Sequence, residues 1–97
     1  MPPNLLAAVE EEIREEKATT VTRTARRLEE LLAELVRLEA RAVEAGAFER
    51  AVLVREHAEL RADARKYLWY LLIEREAMGL TDHHIVEELY RVPSPLR

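Results

Sequence analysis

The sequence has no cysteine and no glutamine, one asparagine (Asn4), two glycines and four prolines. Without cysteine there are no disulfides and no thiolate metal sites. That fits a reducing compartment, and a cytoplasmic setting is expected. Aromatic residues are only 5% of the chain. The longest apolar stretch, residues 67–73, is far too short to span a bilayer, which needs about 20 residues. The opening Met1-Pro2-Pro3-Asn4 has neither the basic flank nor the apolar run of a secretory signal, so none is expected. No GxGxxG, P-loop, His-Glu-x-x-His or di-iron Glu-x-x-His spacing occurs.

What is present is helix-forming. Hydrophobic residues are 48% and charged residues 35% of the 97 residues, and Ala, Leu, Glu and Arg dominate. This is the composition of one folded domain, residues 1–97. The formal charge of −4 weighs against sequence-independent binding of nucleic acid. Arg far outnumbers Lys, a usage that suits a thermophile-like source.

Between Leu5 and Ala45 there is neither Gly nor Pro, and Asn4 is a good N-cap. A first helix is expected over about residues 4–45, ending at Gly46 as a C′ residue. Val21, Leu28, Leu35 and Ala42 recur every seven residues, as do Leu31, Leu38 and Ala45. This is a coiled-coil seam. Leu6, Val9 and Ile13 continue it in a shifted phase, and Ile13, Thr24 and Leu35 are eleven apart. The β-branched run at residues 19–22 is the one place where this helix is liable to break.

A second helix is expected over about residues 48–78, with Leu53, His57, Leu60, Ala64, Tyr67, Leu71 and Met78 on one face. Leu68, Trp69, Tyr70, Leu72 and Ile73 make its C-terminal half apolar nearly all round, more than one partner helix can cover. A third helix is expected over about residues 82–91, capped by Thr81 or Asp82 and ended by Pro93, with an extended tail over residues 92–97.

The expected fold is therefore all-α: a long antiparallel helical hairpin plus a short C-terminal helix. With the turn at Gly46, Leu31 should face Ala62, Leu35 face Ala58 and Ala42 face Ala51, with residues 19–24 opposite residues 68–74. Small threonines would then make room for Trp69 and Tyr70. The uncovered apolar girdle points to a homodimer resembling a four-helix bundle. Its interface would use Tyr67, Leu68, Trp69, Tyr70, Leu72, Ile73 and, from the third helix, Tyr90.

Three kinds of function are compatible with this frame. The first is a structural or interaction module, a self-associating hairpin that presents a surface to a protein partner. The second is a small helical nucleic-acid binder, not favoured by the net charge. It would use Arg23, Arg26, Arg27, Arg65 and Lys66, whose guanidinium forks and ammonium suit phosphate. The plainer reading of those residues is a solvated face. The third is a metal-dependent enzyme with a divalent cation held by His83, His84, Glu87 and Glu88, with Glu10 brought close by the hairpin. The plainer reading there is one histidine exposed and one paired with a carboxylate. His57 stands alone on the inner face, a hydrogen-bonded core residue or a pH-sensitive group at a seam. No catalytic residue and no resident cofactor is expected.

Overall fold

The computed structural model describes residues 5–97, and the role expected of Asn4 lies outside them. The chain is all-helical: α1 (Leu5–Ala42), α2 (Ala47–Ala77) and α3 (His84–Leu89). Helices α1 and α2 form an antiparallel hairpin in a molecule of 70 × 21 × 15 Å.

Helix α1 is continuous through residues 19–22. Three of the weak helix formers there satisfy their hydroxyls on their own helix: Thr19 donates to the Glu15 carbonyl at 3.0 Å, Thr20 to Glu16 at 3.1 Å and Thr22 to Ala18 at 2.9 Å. Back-bonding to the i−4 carbonyl lets a threonine sit in a helix without competing for the backbone. These hydroxyls are exposed, and Trp69 and Tyr70 are exposed on the other helix, so the threonines do not make room for the rings.

The turn differs from expectation. Helix α1 stops at Ala42, and Gly46 is the N-cap of α2, with an extended backbone (φ −70°, ψ 171°) rather than a left-handed one. Arg50 reaches back from α2 and donates to the Ala42 carbonyl at 2.7 Å. A guanidinium on the last carbonyl of a helix satisfies an orphan acceptor and complements the dipole. The glycine-capped end belongs to α2 instead. Gly79 has φ +81°, its N–H bonds to the Glu76 carbonyl, and the Leu80 N–H bonds to the Arg75 carbonyl. That is the Schellman pattern, which needs a left-handed residue and favours glycine.

The buried residues are one stripe from each long helix plus one residue of α3. Leu28, Leu31, Leu35, Ala64, Leu71 and Val86 form one cluster, and Leu38, Ala42 and Leu53 a second. The expected partners Ala51, Ala58 and Ala62 are exposed. The helices are slid by a few positions from the simple arithmetic, with Lys17 on Ala77, Thr24 on Glu74 and His57 on Glu39. The loop is longer than a glycine corner, and the face turned to the seam is the expected one, with Leu53, His57, Ala64 and Leu71 buried.

The C-terminal part is shorter as helix and longer as strap. Helix α3 has six residues and begins after His83, with Asp82 Oδ1 accepting from the His84 N–H at 3.0 Å. Gly79 turns the chain back along the hairpin, so α3 lies beside Val21, Ala25 and Leu71. The extended tail then follows the groove. Val92 packs on the first cluster and Leu96 on the second. Arg61 Nε donates to the Pro93 carbonyl at 2.8 Å, and Arg50 bonds to the Arg97 carbonyl. One side of the seam is thereby roofed by the chain itself.

The stripe carries the stability. Leu35 is fully enclosed, and Leu35→Ala should cost about 2–5 kcal/mol in urea unfolding. Val36, next in sequence but 62% exposed, should change stability by less than about 0.5 kcal/mol as Val36→Ala.

Candidate functional site: the uncovered apolar faces

The seam of α1 does not stop where α2 stops. Lys17 Nζ donates to the Ala77 carbonyl at 3.3 Å, so the last residue of α2 lies level with the fourth turn of α1. The first twelve residues of α1, residues 5–16, project past it and all are exposed. Ile13 is eleven residues before Thr24, itself buried, and eleven residues return to nearly the same helix face. Leu6 and Ile13 are likewise seven apart. The row Leu6, Val9, Ile13 is therefore the core seam continued without α2. Leu6 is 70% exposed, Val9 44% and Ile13 48%. At its foot Ile13, Glu16, Lys17, Thr20, Glu74 and Ala77 line a cavity of about 310 Å³.

A second uncovered face lies on the back of α2. Trp69 and Ile73 stand two residues either side of buried Leu71, about 200° round the helix. They point away from α1, with Trp69 60% and Ile73 42% exposed, and Tyr70 beside them at 38%. The Trp69 and Tyr70 rings are tilted against each other at 5.9 Å between centroids, and Tyr70 meets Tyr67 edge-on at 5.7 Å. Lys66 Nζ lies 5.9 Å from the Tyr67 ring. These contacts stiffen the patch and leave its outer surface open.

The girdle read from the sequence thus divides. Tyr67, Leu68, Leu72 and Tyr90 are partly buried against the first core cluster. Trp69, Tyr70 and Ile73 face solvent. Tyr90 is held by its hydroxyl, which donates to Glu29 Oε1 at 3.0 Å. Burial, then the hydrogen bond and the negative charge of Glu29, raise its pKa above the ordinary 10.0.

The basic residues do not meet in one patch. Arg27 is paired with Glu30 at 3.2 Å and lines a shallow cavity with Glu34, Arg37 and Leu60. Arg65 lines a different one, with Arg61, Glu87 and Arg91. Arg26 is two residues from Leu28 and Lys66 two from Ala64, so each stands on the far side of its own helix from the shared seam. Arg23 is exposed on the flank of α1 next to buried Thr24, and Arg26 is exposed on its outer face. The grouping of Arg61, Arg65 and Arg91 was not visible in the sequence, because it depends on the tail folding back.

The histidine and glutamate candidates form two separate pairs. His83 Nε2 lies 2.9 Å from Glu76 Oε1, and His84 Nε2 lies 2.9 Å from Glu88 Oε1. Glu10 lies 3.8 Å from Arg14 on the projecting part of α1. The expected approach of Glu10 to His83 does not occur, because Gly79 turns the chain down the hairpin instead of up alongside the projection. Among the described residues no group of three or more His, Asp or Glu is placed to hold a metal ion.

His57 is fully enclosed, between Leu53 and Ala64 on the buried row of α2. Its Nε2 lies 3.2 Å from Glu39 Oε1, and its Nδ1 has no partner. A carboxylate acceptor requires the proton on Nε2. The pair joins α1 to α2 at the break between the two apolar clusters, as Thr24 does higher up by donating to Glu74 Oε1 at 2.9 Å. No helix among the described residues is long and apolar enough to cross a membrane.

No family model matches the chain, and no curated protein and no solved structure does. The site has to be read from its own geometry.

The Tyr90–Glu29 bond gives the docking of α3 a pH dependence. A raised folded pKa means that the fold prefers the neutral phenol. The stabilisation is present below pH 10 and is lost as pH rises through the higher folded value. Tyr90→Phe should cost about 0.5–1 kcal/mol at neutral pH and should flatten the loss of thermal stability measured above pH 10.

Proposed function

We propose that this chain is a structural and interaction module that works by self-association: a helical hairpin that pairs with a second copy and offers the composite surface to a macromolecular partner. The observation that carries the reading is the open back of α2. Trp69, Tyr70 and Ile73 form a contiguous, internally packed aromatic and aliphatic face with nothing over it. The chain roofs one side of its seam with α3 and the tail, yet leaves this face bare. Exposed apolar clusters rimmed by charge mark association surfaces more often than accidents of composition. Aromatic residues are also the side chains that contribute most to binding when a partner removes them from water.

Two hairpins joined through such faces make a closed assembly of four long helices, coiled-coil-like in the seven-residue seam of α1. A small elongated domain gains from this, because its own core is one stripe wide. The lack of cysteine supports a cytoplasmic setting for the pair.

Sedimentation equilibrium tests the reading. The chain should behave as a dimer at micromolar concentration. Ile73→Glu, at an exposed position, should keep the helical circular dichroism and raise the dissociation constant at least tenfold. A chain that sediments as a monomer at tens of micromolar would rule the proposal out.

A further inference from the structure

Between the hairpin and α3 lies a pocket of about 200 Å³ that the side chains leave unfilled. We infer that it is a binding site for a small monocarboxylic acid, with the apolar body of the acid held among the three helices and its carboxylate on Arg75. The site is separate from the Trp69 face and does not rest on self-association.

The pocket arises from the shortness of α3. Six residues make fewer than two turns, and Val86 is the buried residue of this helix. Ile85 and Leu89 stand to either side of Val86, both largely exposed. Val21 and Ala25 of α1 and Leu71 of α2 complete the aliphatic walls. Tyr90 adds its ring, since its hydroxyl is held by Glu29. An apolar cavity of about 150 Å³ takes benzene, so this volume suits a body of about six carbons with a small head group.

Arg75 is the one charged side chain on these walls. Its Nη2 donates to the Asp82 carbonyl at 3.0 Å, which fixes the guanidinium at the turn leading into α3. Its Nε is buried and has no hydrogen-bond partner among the described residues. Buried donors are nearly always satisfied, so an orphan N–H on a guanidinium marks a place for an acceptor. The neighbouring carboxylates are committed elsewhere. Glu74 accepts from Thr24 and lines the cavity below Ile13, Glu76 lies on His83, and Glu29 accepts from Tyr90. None of the ion pairs among the described residues includes Arg75, whereas Arg14, Arg27 and Arg37 each have a glutamate.

Charge and wall chemistry select the class of ligand. One guanidinium balances one negative charge, which a carboxylate supplies in a planar form that fits the fork. A phosphate monoester brings about two charges and leaves one uncompensated in an apolar pocket. A protonated amine would meet a like charge. The aliphatic walls favour a hydrocarbon body over a sugar or a nucleotide.

Hexanoate and its neutral analogue hexanamide test the assignment when titrated into the isotope-labelled full chain and followed by NMR. Hexanoate should saturate one site with a dissociation constant of about 1 mM or below, and hexanamide should bind at least tenfold more weakly. The backbone resonances that move should be those of residues 21–25, Arg75 and residues 84–90. Ala25→Leu, which fills the pocket, should abolish binding of both probes with unchanged helicity. Arg75→Gln should bring hexanoate down to the affinity of hexanamide. Because Arg75 also holds the Asp82 carbonyl, Ala25→Leu and the comparison of acid with amide test the site without disturbing that turn. No saturation by about 10 mM, equal affinity for acid and amide, or shifts centred on Trp69 and Ile73 would each overturn the assignment.

Discussion

A two-helix hairpin can bury only one stripe on each helix, and every other feature of this chain follows from that limit. The stripes are Leu28, Leu31, Leu35, Leu38 and Ala42 on α1, and Leu53, His57, Ala64 and Leu71 on α2. Each buried side chain has its neighbours on one axis and solvent to either side. The chain meets this in part by folding α3 and the tail back over one flank, where Val86, Val92 and Leu96 reach the seam. Apolar residues elsewhere on the helices have no cover of their own. The exposed apolar faces are the remainder left after a thin core has taken what it can hold.

Polar groups set into this core position the helices as well as fill space. The His57–Glu39 pair and the Thr24–Glu74 bond each cross from α2 to α1, at the gap between the clusters and near the open end. A sliding hairpin would leave His57 buried without any partner, a penalty of about 1–3 kcal/mol that an all-leucine seam would not impose. We read these two contacts as register pins. The exposed ion pairs, such as Arg14 with Glu11 and Arg27 with Glu30, contribute little by comparison. Register matters because it sets the length of the α1 projection, and so the size of the bare seam.

Some of this is legible in the residues. The expected first helix was about ten residues longer than the second, and an antiparallel pair with unequal arms must leave an overhang. The spacing puts Leu6, Val9 and Ile13 on a stripe, and simple register arithmetic carries the chain past Met78 up alongside them and brings His83 to Glu10. One left-handed glycine reversed that path. Nothing in a one-dimensional pattern says which way a chain leaves a Schellman turn, since that depends on which flank offers apolar area. The same reason hid the association of Arg61, Arg65 and Arg91 and dispersed the supposed basic patch. Periodicity gives the face of a helix, whereas only the neighbouring helix fixes which faces meet.

The sequence alone determined the helical class, the two long elements, their inward faces and the excess of apolar surface in the second, because each depends on spacing within a single segment. Continuity of α1 through its threonines was also local, through hydroxyls returned to their own backbone. Tertiary structure decided the slip of the helices, the use of Gly46 as a cap for α2, the path of the tail and the separation of the histidines into two pairs. Those outcomes depend on competition between segments for the same narrow seam. Such competition is settled by volume and by unsatisfied polar groups in three dimensions, which no spacing along the chain records.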